Sequence, residues 1–230
     1  MNQAMRTVLA ASAAVYTAYG PLPAAAARLK NWASPPRGGG EKVLFLTFDD
    51  GPDPAYTPQL LDLLAGHHIR ASFFVVGEFA AAYPDLVERA AGEGHLIGLH
   101  SCSHRCALLM GPGATRGDIA RSAEILQVLG LSAGYYRAPW GLVNLSMQGE
   151  LARRGMQAVF WDVMAEDWRG DTTPQIIAGK LLRRVRSGSV VCLHDGRGKN
   201  GAPARTIEAL RSVLPVWEKE GYRFLRIDES

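Results

Sequence analysis

The chain has 230 residues, with 25 Lys and Arg against 22 Asp and Glu. That length supports one sizeable core, and the composition is that of an ordinary globular protein, which excludes a disordered or fibrous chain. Residues 1–38 hold Arg6, Arg28, Lys30 and Arg37 and no acid; without those four, 21 bases face 22 acids, so the body is near neutral and carries no nucleic-acid footprint.

The first segment has a short polar start with Arg6, then an apolar run from Thr7 to about Ala18, broken by Gly20, Pro21 and Pro23. The run is too short to span a bilayer comfortably. "AAAA" then offers a small-residue cleavage site at Ala25 to Ala27. Residues 1–27 are therefore expected to be a secretory signal or a membrane anchor, with attachment through residues 7–20 as the rival to cleavage. The expected location is secreted or cell-surface. Residues 28–41, rich in Pro and Gly towards their end, are read as a linker.

From residue 43 onward short apolar runs alternate with helical patterns. Strands are expected at 43–48, 71–77, 95–100, 134–138, 157–163, 189–194 and 222–227. Most are rich in Val, Ile, Leu and Phe without clean alternation, as strands buried on both faces are. Between them, 118–130 places Ile119, Ala123, Leu126 and Leu129 at helical spacing and ends on Gly130. Residues 172–185 open with Thr and Pro and carry their bases late, as a helix does. The alternation implies a parallel sheet in a single domain over 42–230. Asp49 and Asp50 follow the first strand, His100 ends the third, Arg137 the fourth, Asp167 and Trp168 follow the fifth, and His194 ends the sixth. Strand ends converge on one face in a barrel, whereas an open sheet brings together only those beside its switch point. The expected fold is a distorted (β/α) barrel of about seven parallel strands.

The two adjacent carboxylates of "LTFDDGPD" disfavour each other's ionisation, and a divalent cation offsets that cost. "HSCSH" supplies two imidazoles, His100 and His104, which face one way on a helical turn. With one carboxylate they make a two-His, one-acid set with open positions, as a catalytic Zn²⁺ has. Taken alone, the two histidines also fit surface or capping residues; a Cys/His cluster with Cys102 and Cys106, all within seven residues, is poor geometry for a closed tetrahedron. The three cysteines, Cys102, Cys106 and Cys192, do not make a disulfide framework, and pairing of the first two is left open.

"TFDDGPD", "IRASFFVVG", "HSCSH", "RAPWG", "WDVMAEDW" and "CLHDG" occur in an order and spacing that resemble the polysaccharide deacetylase family, the NodB-homology domain of carbohydrate esterase family 4, over about residues 41–227. The resemblance implies a distorted (β/α) barrel and metal-dependent removal of acetyl groups from a polysaccharide such as peptidoglycan or chitin oligomers. It implies Asp49 as general base, Asp50 with His100 and His104 as metal ligands, and Arg137 holding the base. It implies His194 as general acid aligned by Asp167, the backbone N–H of Trp140 as oxyanion donor, and Trp168 lining the acetyl pocket. Cys192 stands where the family often has a leucine, with Leu193 next, and both are expected to line the substrate pocket. Asp162 and Asp195 are expected to be structural. The expected ion is Zn²⁺, with Co²⁺, Mn²⁺ or Ni²⁺ as substitutes, and the expected partner is the polysaccharide alone, bound by a monomer. The competing readings are a non-catalytic glycan-binding protein and a metal-dependent amidase or esterase acting on a non-sugar substrate.

Overall fold

The computed structural model describes residues 3–32, 37 and 40–230. Eight strands lie among them: β1 (Val43–Asp49), β2 (Ser72–Val75), β3 (Leu96–Leu99), β4 (Tyr135–Tyr136), β5 (Gln157–Ala158), β6 (Val163–Met164), β7 (Ser189–His194) and β8 (Arg223–Phe224). All pairings are parallel, in the order β5-β4-β3-β2-β1-β7-β6. β8 lies off that path: Arg223 and Phe224 pair with Val43 and Leu44, while β2 takes the later half of the same strand from Thr47 to Asp49. β1 is buried along its whole length, as its unbroken apolar run requires.

The single strand expected over 157–163 is two. Gln157 and Ala158 pair with β4, and Val163 and Met164 pair with β7, at opposite ends of the sheet order. The Val159 N–H still bonds the Tyr136 carbonyl, and the Asp162 N–H bonds that of Val190. The exchange of partners falls across Phe160 and Trp161. This segment draws the two ends of the curled sheet together.

Alternation along the strands sorts the core into two clusters. Leu44, Leu46, Phe48, Val191 and Leu193 face the helices, in a cluster with Leu60, Leu210 and Trp217. Val43, Phe45, Phe74, Val159 and Val190 fill the inside of the curl. Full burial of a side chain as large as Phe45 contributes about 1.5–3 kcal/mol. Further along the same inward face come Thr47 and Asp49 on β1, and Cys192 and His194 on β7. The apolar filling is thus replaced by chemistry at the C-terminal rim.

The helix expected over 118–130 begins earlier, at Pro112, whose missing N–H costs nothing in the first turn (Pro112–Val128). It ends as expected: Gly130 is left-handed and the Leu131 N–H reaches back to the Leu126 carbonyl. Thr173 caps the helix Pro174–Arg184 by accepting from the Ile176 N–H.

The N-terminal segment forms helices Gln3–Tyr19 and Pro21–Trp32. Residues 28–32 are thus helical rather than linker; residues 33–36, 38 and 39 of the expected linker lie outside the described residues. The second helix rests on the body. Ala24 is buried, and the Arg28 guanidinium donates to the Trp140 carbonyl at 2.7 Å. In the first helix Val8, Leu9 and Val15 are exposed. No helix among the described residues is long and apolar enough to cross a membrane, so the expected anchor over 7–20 finds no support there.

Candidate active site and metal centre

Asp49 is the last residue of β1 and points inward. Asp50 adopts a left-handed backbone (φ 73°), which aspartate tolerates better than most residues, and Gly51–Pro52 turns the chain away. That change of conformation lets two successive carboxylates serve one site. The turn packs backbone against backbone on the loop after β7. A Cβ at Gly51 would lie 2.2 Å from Asp195 Oδ2, and one at Gly196 would lie 2.2 Å from the Asp50 carbonyl oxygen.

The two imidazoles reach the turn by a different route from the one expected. Residues 101–106 form no helical turn. Ser101 and His104 are both left-handed, and the His104 N–H donates to Ser101 Oγ at 2.7 Å. Asp118 braces this loop by accepting from the Cys102 N–H and the Ser103 hydroxyl. His104 Nε2 lies 3.0 Å and His100 Nε2 3.3 Å from Asp50 Oδ1.

The donor set fits a cation. His100 Nδ1 donates to the Arg137 carbonyl at 2.9 Å, so its Nε2 carries a lone pair towards Asp50. Asp50 Oδ1 is buried and makes no hydrogen bond among the described residues. Acceptors facing acceptors in a buried space call for a positive charge between them.

Asp49 is held from the other side. Arg137, fully buried, donates through Nη1 to Asp49 Oδ1 at 2.8 Å and to Thr47 Oγ1 at 2.7 Å. The guanidinium lies over the Phe74 ring, 4.2 Å from its centroid. Asp49 Oδ2 faces the Cys192 thiol, 3.4 Å away.

His194 is paired with Asp167. Asp167 Oδ1 accepts from His194 Nδ1 at 2.9 Å; Oδ2 accepts from the His194 N–H at 2.9 Å and from Thr206 Oγ1 at 2.8 Å. Burial disfavours the charged ring, but Asp167, then Asp50 and Asp49, outweigh it and raise the His194 pKa to about 9. The imidazole is a proton donor at neutral pH, with Nε2 as its free ring atom.

Trp140 and Trp168 are exposed at the rim, and the Trp140 ring meets His104 edge-on with centroids 4.6 Å apart. Trp140 is left-handed (φ 56°), a strained state for a large residue, and its carbonyl is held by Arg28. Leu193 does not line the pocket. It alternates with Cys192 and His194, so its side chain lies wholly buried on the helix-facing side of β7. Cys192 does face the site, but with no exposed surface. Burial first, then Asp49, pushes its thiol pKa well above the ordinary value, which keeps it neutral and unsuited to nucleophilic attack. Cys102, Cys106 and Cys192 are all free. Asp195 is buried under the turn and accepts from Thr57 Oγ1 at 2.6 Å; Asp162 pairs with Arg37 at 3.0 Å and accepts the Val190 N–H.

The sequence assigns no role in the site to Asp118, Thr206, Thr47 or Arg28, because each acts through a partner distant in the chain.

A parallel α/β fold with a carboxylate–imidazole cluster, a buried Arg–Asp pair and an Asp–His pair at one rim has the parts that a metal-dependent hydrolase requires. Sequence comparison gives the family: the model described as "Polysaccharide deacetylase" matches residues 37–159, and the chain belongs to that family. It is 34% identical over 191 residues to a peptidoglycan-N-acetylglucosamine deacetylase of Bacillus cereus, covering 82% of this chain and 88% of the relative. It is 31% identical over 193 residues to a chitooligosaccharide deacetylase of Bradyrhizobium sp., covering 80% and 88%. Among solved structures, a peptidoglycan N-acetylglucosamine deacetylase in complex with 4-naphthalen-1-yl-N-oxidanyl-benzamide superposes with a TM-score of 0.78 at 31% identity, covering 84% of this chain and 89% of that one. A family 4 acetyl xylan esterase from Clostridium thermocellum, in complex with a cobalt ion, superposes with a TM-score of 0.75 at 30% identity, covering 82% and 89%.

Proposed function

We propose that the protein removes N-acetyl groups from N-acetylglucosamine-type residues of a polysaccharide, either peptidoglycan or chitin oligomers. Asp50, His100 and His104 would hold a divalent ion, with Zn²⁺ the first choice for a two-imidazole, one-carboxylate set. Such an ion supplies Lewis acidity to an acetamide carbonyl and acidifies water. Asp49, steered by Arg137 on Oδ1, takes the proton of the attacking water. The Trp140 N–H donates to the oxygen on which negative charge develops. His194, charged and aligned by Asp167, delivers a proton from Nε2 to the departing nitrogen. Trp140 and Trp168 offer stacking surfaces to the sugar.

The observation that carries this reading is the convergence of Asp49, Asp50, His100, His104, Arg137 and the Asp167–His194 pair from five strand ends on one rim. The acid-free apolar run of residues 1–27 supports an export signal and an extracytoplasmic protein. The test is acetate release from N-acetylglucosamine oligomers and from peptidoglycan, with Zn²⁺ and with a chelator. Metal-dependent release is expected. No release from any acetylated glycan overturns the reading.

A further inference from the structure

Asp49, Cys192 and His194 form a second cluster that shares no residue with Asp50, His100 and His104. One ligand atom from each lies within 4.8 Å of the other two, and all three residues are buried. The register of β1 on β7 creates the cluster: Thr47 lies beside Cys192 and Asp49 beside His194, all on the inward face.

Each member is already oriented. Arg137 occupies Asp49 Oδ1 and leaves Oδ2 towards the thiol, 3.4 Å from Cys192 Sγ. That separation matches two ligands of one tetrahedral ion bonded at about 2.0–2.3 Å. Asp167 takes His194 Nδ1 and leaves Nε2 as the free ring atom. A carboxylate behind an imidazole is the support that orients a histidine ligand and raises its basicity.

We propose that Asp49, Cys192 and His194 make a second, inhibitory site for a thiophilic divalent ion: Cd²⁺, or Zn²⁺ in excess. On binding, the Sγ–H bond breaks and an Sγ–metal bond forms. The thiol proton leaves to solvent, as does any proton on His194 Nε2, and no oxidation state changes. Thiolate with imidazole selects such ions over Mg²⁺ or Mn²⁺, which prefer oxygen ligands. The inhibitory half of the proposal rests on the roles given to Asp49 and His194, because an ion there removes base and acid together. The binding half rests on geometry alone.

The full chain, loaded with one equivalent of Zn²⁺, is titrated with Cd²⁺. Three signals are followed: the ultraviolet charge-transfer band of a cadmium–thiolate bond, the count of bound ions after gel filtration, and acetate release. The expected result is a second ion per chain, a thiolate band that grows with it, and loss of turnover in step. Cys192→Ser should lose the band and weaken the second ion by at least about tenfold while keeping the first. His194→Gln should weaken it similarly with the thiol intact. One ion per chain at saturation, or a band that survives in Cys192→Ser, overturns the proposal. Should Cys192→Ser fail to fold by circular dichroism, the Cys102→Ser/Cys106→Ser variant decides: the band must survive there, and its loss places the ion elsewhere. If the one-zinc protein releases no acetate, the functional reading fails, and ion count and band still decide the site.

Discussion

Replacing Asp167 by asparagine preserves the shape of the side chain and removes its charge. In the parent, Asp167 is the leading influence that opposes burial and raises the His194 pKa from 6.5 to about 9. That difference amounts to roughly 3 kcal/mol in favour of the charged ring. With residue 167 neutral, burial is opposed only by Asp50 and Asp49, and an ion at Asp50 weakens even those. The ring pKa in Asp167→Asn is therefore expected at or below its ordinary 6.5. At about pH 8 some nine-tenths of parent rings are charged, against about one in thirty in the variant, so acetate release should fall at least about thirtyfold there. The assay is kcat for acetate release from about pH 5 to 10 on both proteins. The alkaline limb should lie near pH 9 in the parent and near or below 6.5 in the variant. Stability follows the same sign. A histidine whose folded pKa is raised contributes fully below its unfolded value, and that contribution is lost as pH rises from 6.5 through about 9. Denaturant melts of the parent should show roughly 3 kcal/mol lost across that window through this group, and the variant should show little. An alkaline limb at the same pH in both proteins refutes the reasoning.

Asp50→Ala should abolish bound metal, whereas Asp49→Ala should spare most of it and remove turnover; metal analysis showing equal retention in both contradicts the ligand assignment. Arg137→Met leaves Asp49 buried without its charged partner and should cost about 3–5 kcal/mol in denaturant melts, together with most of the activity. Gly196→Ala drives a Cβ to 2.2 Å from the Asp50 carbonyl oxygen, an immovable backbone atom, so its melting temperature should fall and its metal affinity with it. A melt unchanged from the parent counts against the close packing of those two turns.

Much of this was legible before the structure. β1 and β7 announce themselves as unbroken apolar runs, and the reactive residues sit where such runs stop. That pattern is how a parallel fold delivers side chains from distant parts of a chain to one rim. What escaped is non-local. Residues 157–163 look like one strand because nothing in their composition records that β4 binds one end and β7 the other. His100 and His104 have helical spacing, but Ser101 and His104 take left-handed conformations, and Asp118 holds the loop from a helix further along the chain. The resemblance implies Leu193 in the pocket, although period-two alternation with Cys192 and His194 places it on the opposite face. Residues 28–32 follow an alanine run and precede a Pro- and Gly-rich stretch, and neither feature reveals the grip of Arg28 on the Trp140 carbonyl. Thr206 supports Asp167 from the helix Ala202–Lys219, a contact visible only once that helix is docked.

The most direct test of the metal centre is an anomalous difference map from a zinc-loaded crystal. The structure predicts one strong peak bonded at about 2.0–2.2 Å to Asp50 Oδ1, His100 Nε2 and His104 Nε2 at one equivalent of ion. A peak on any other set of side chains, or none at full zinc loading, contradicts it.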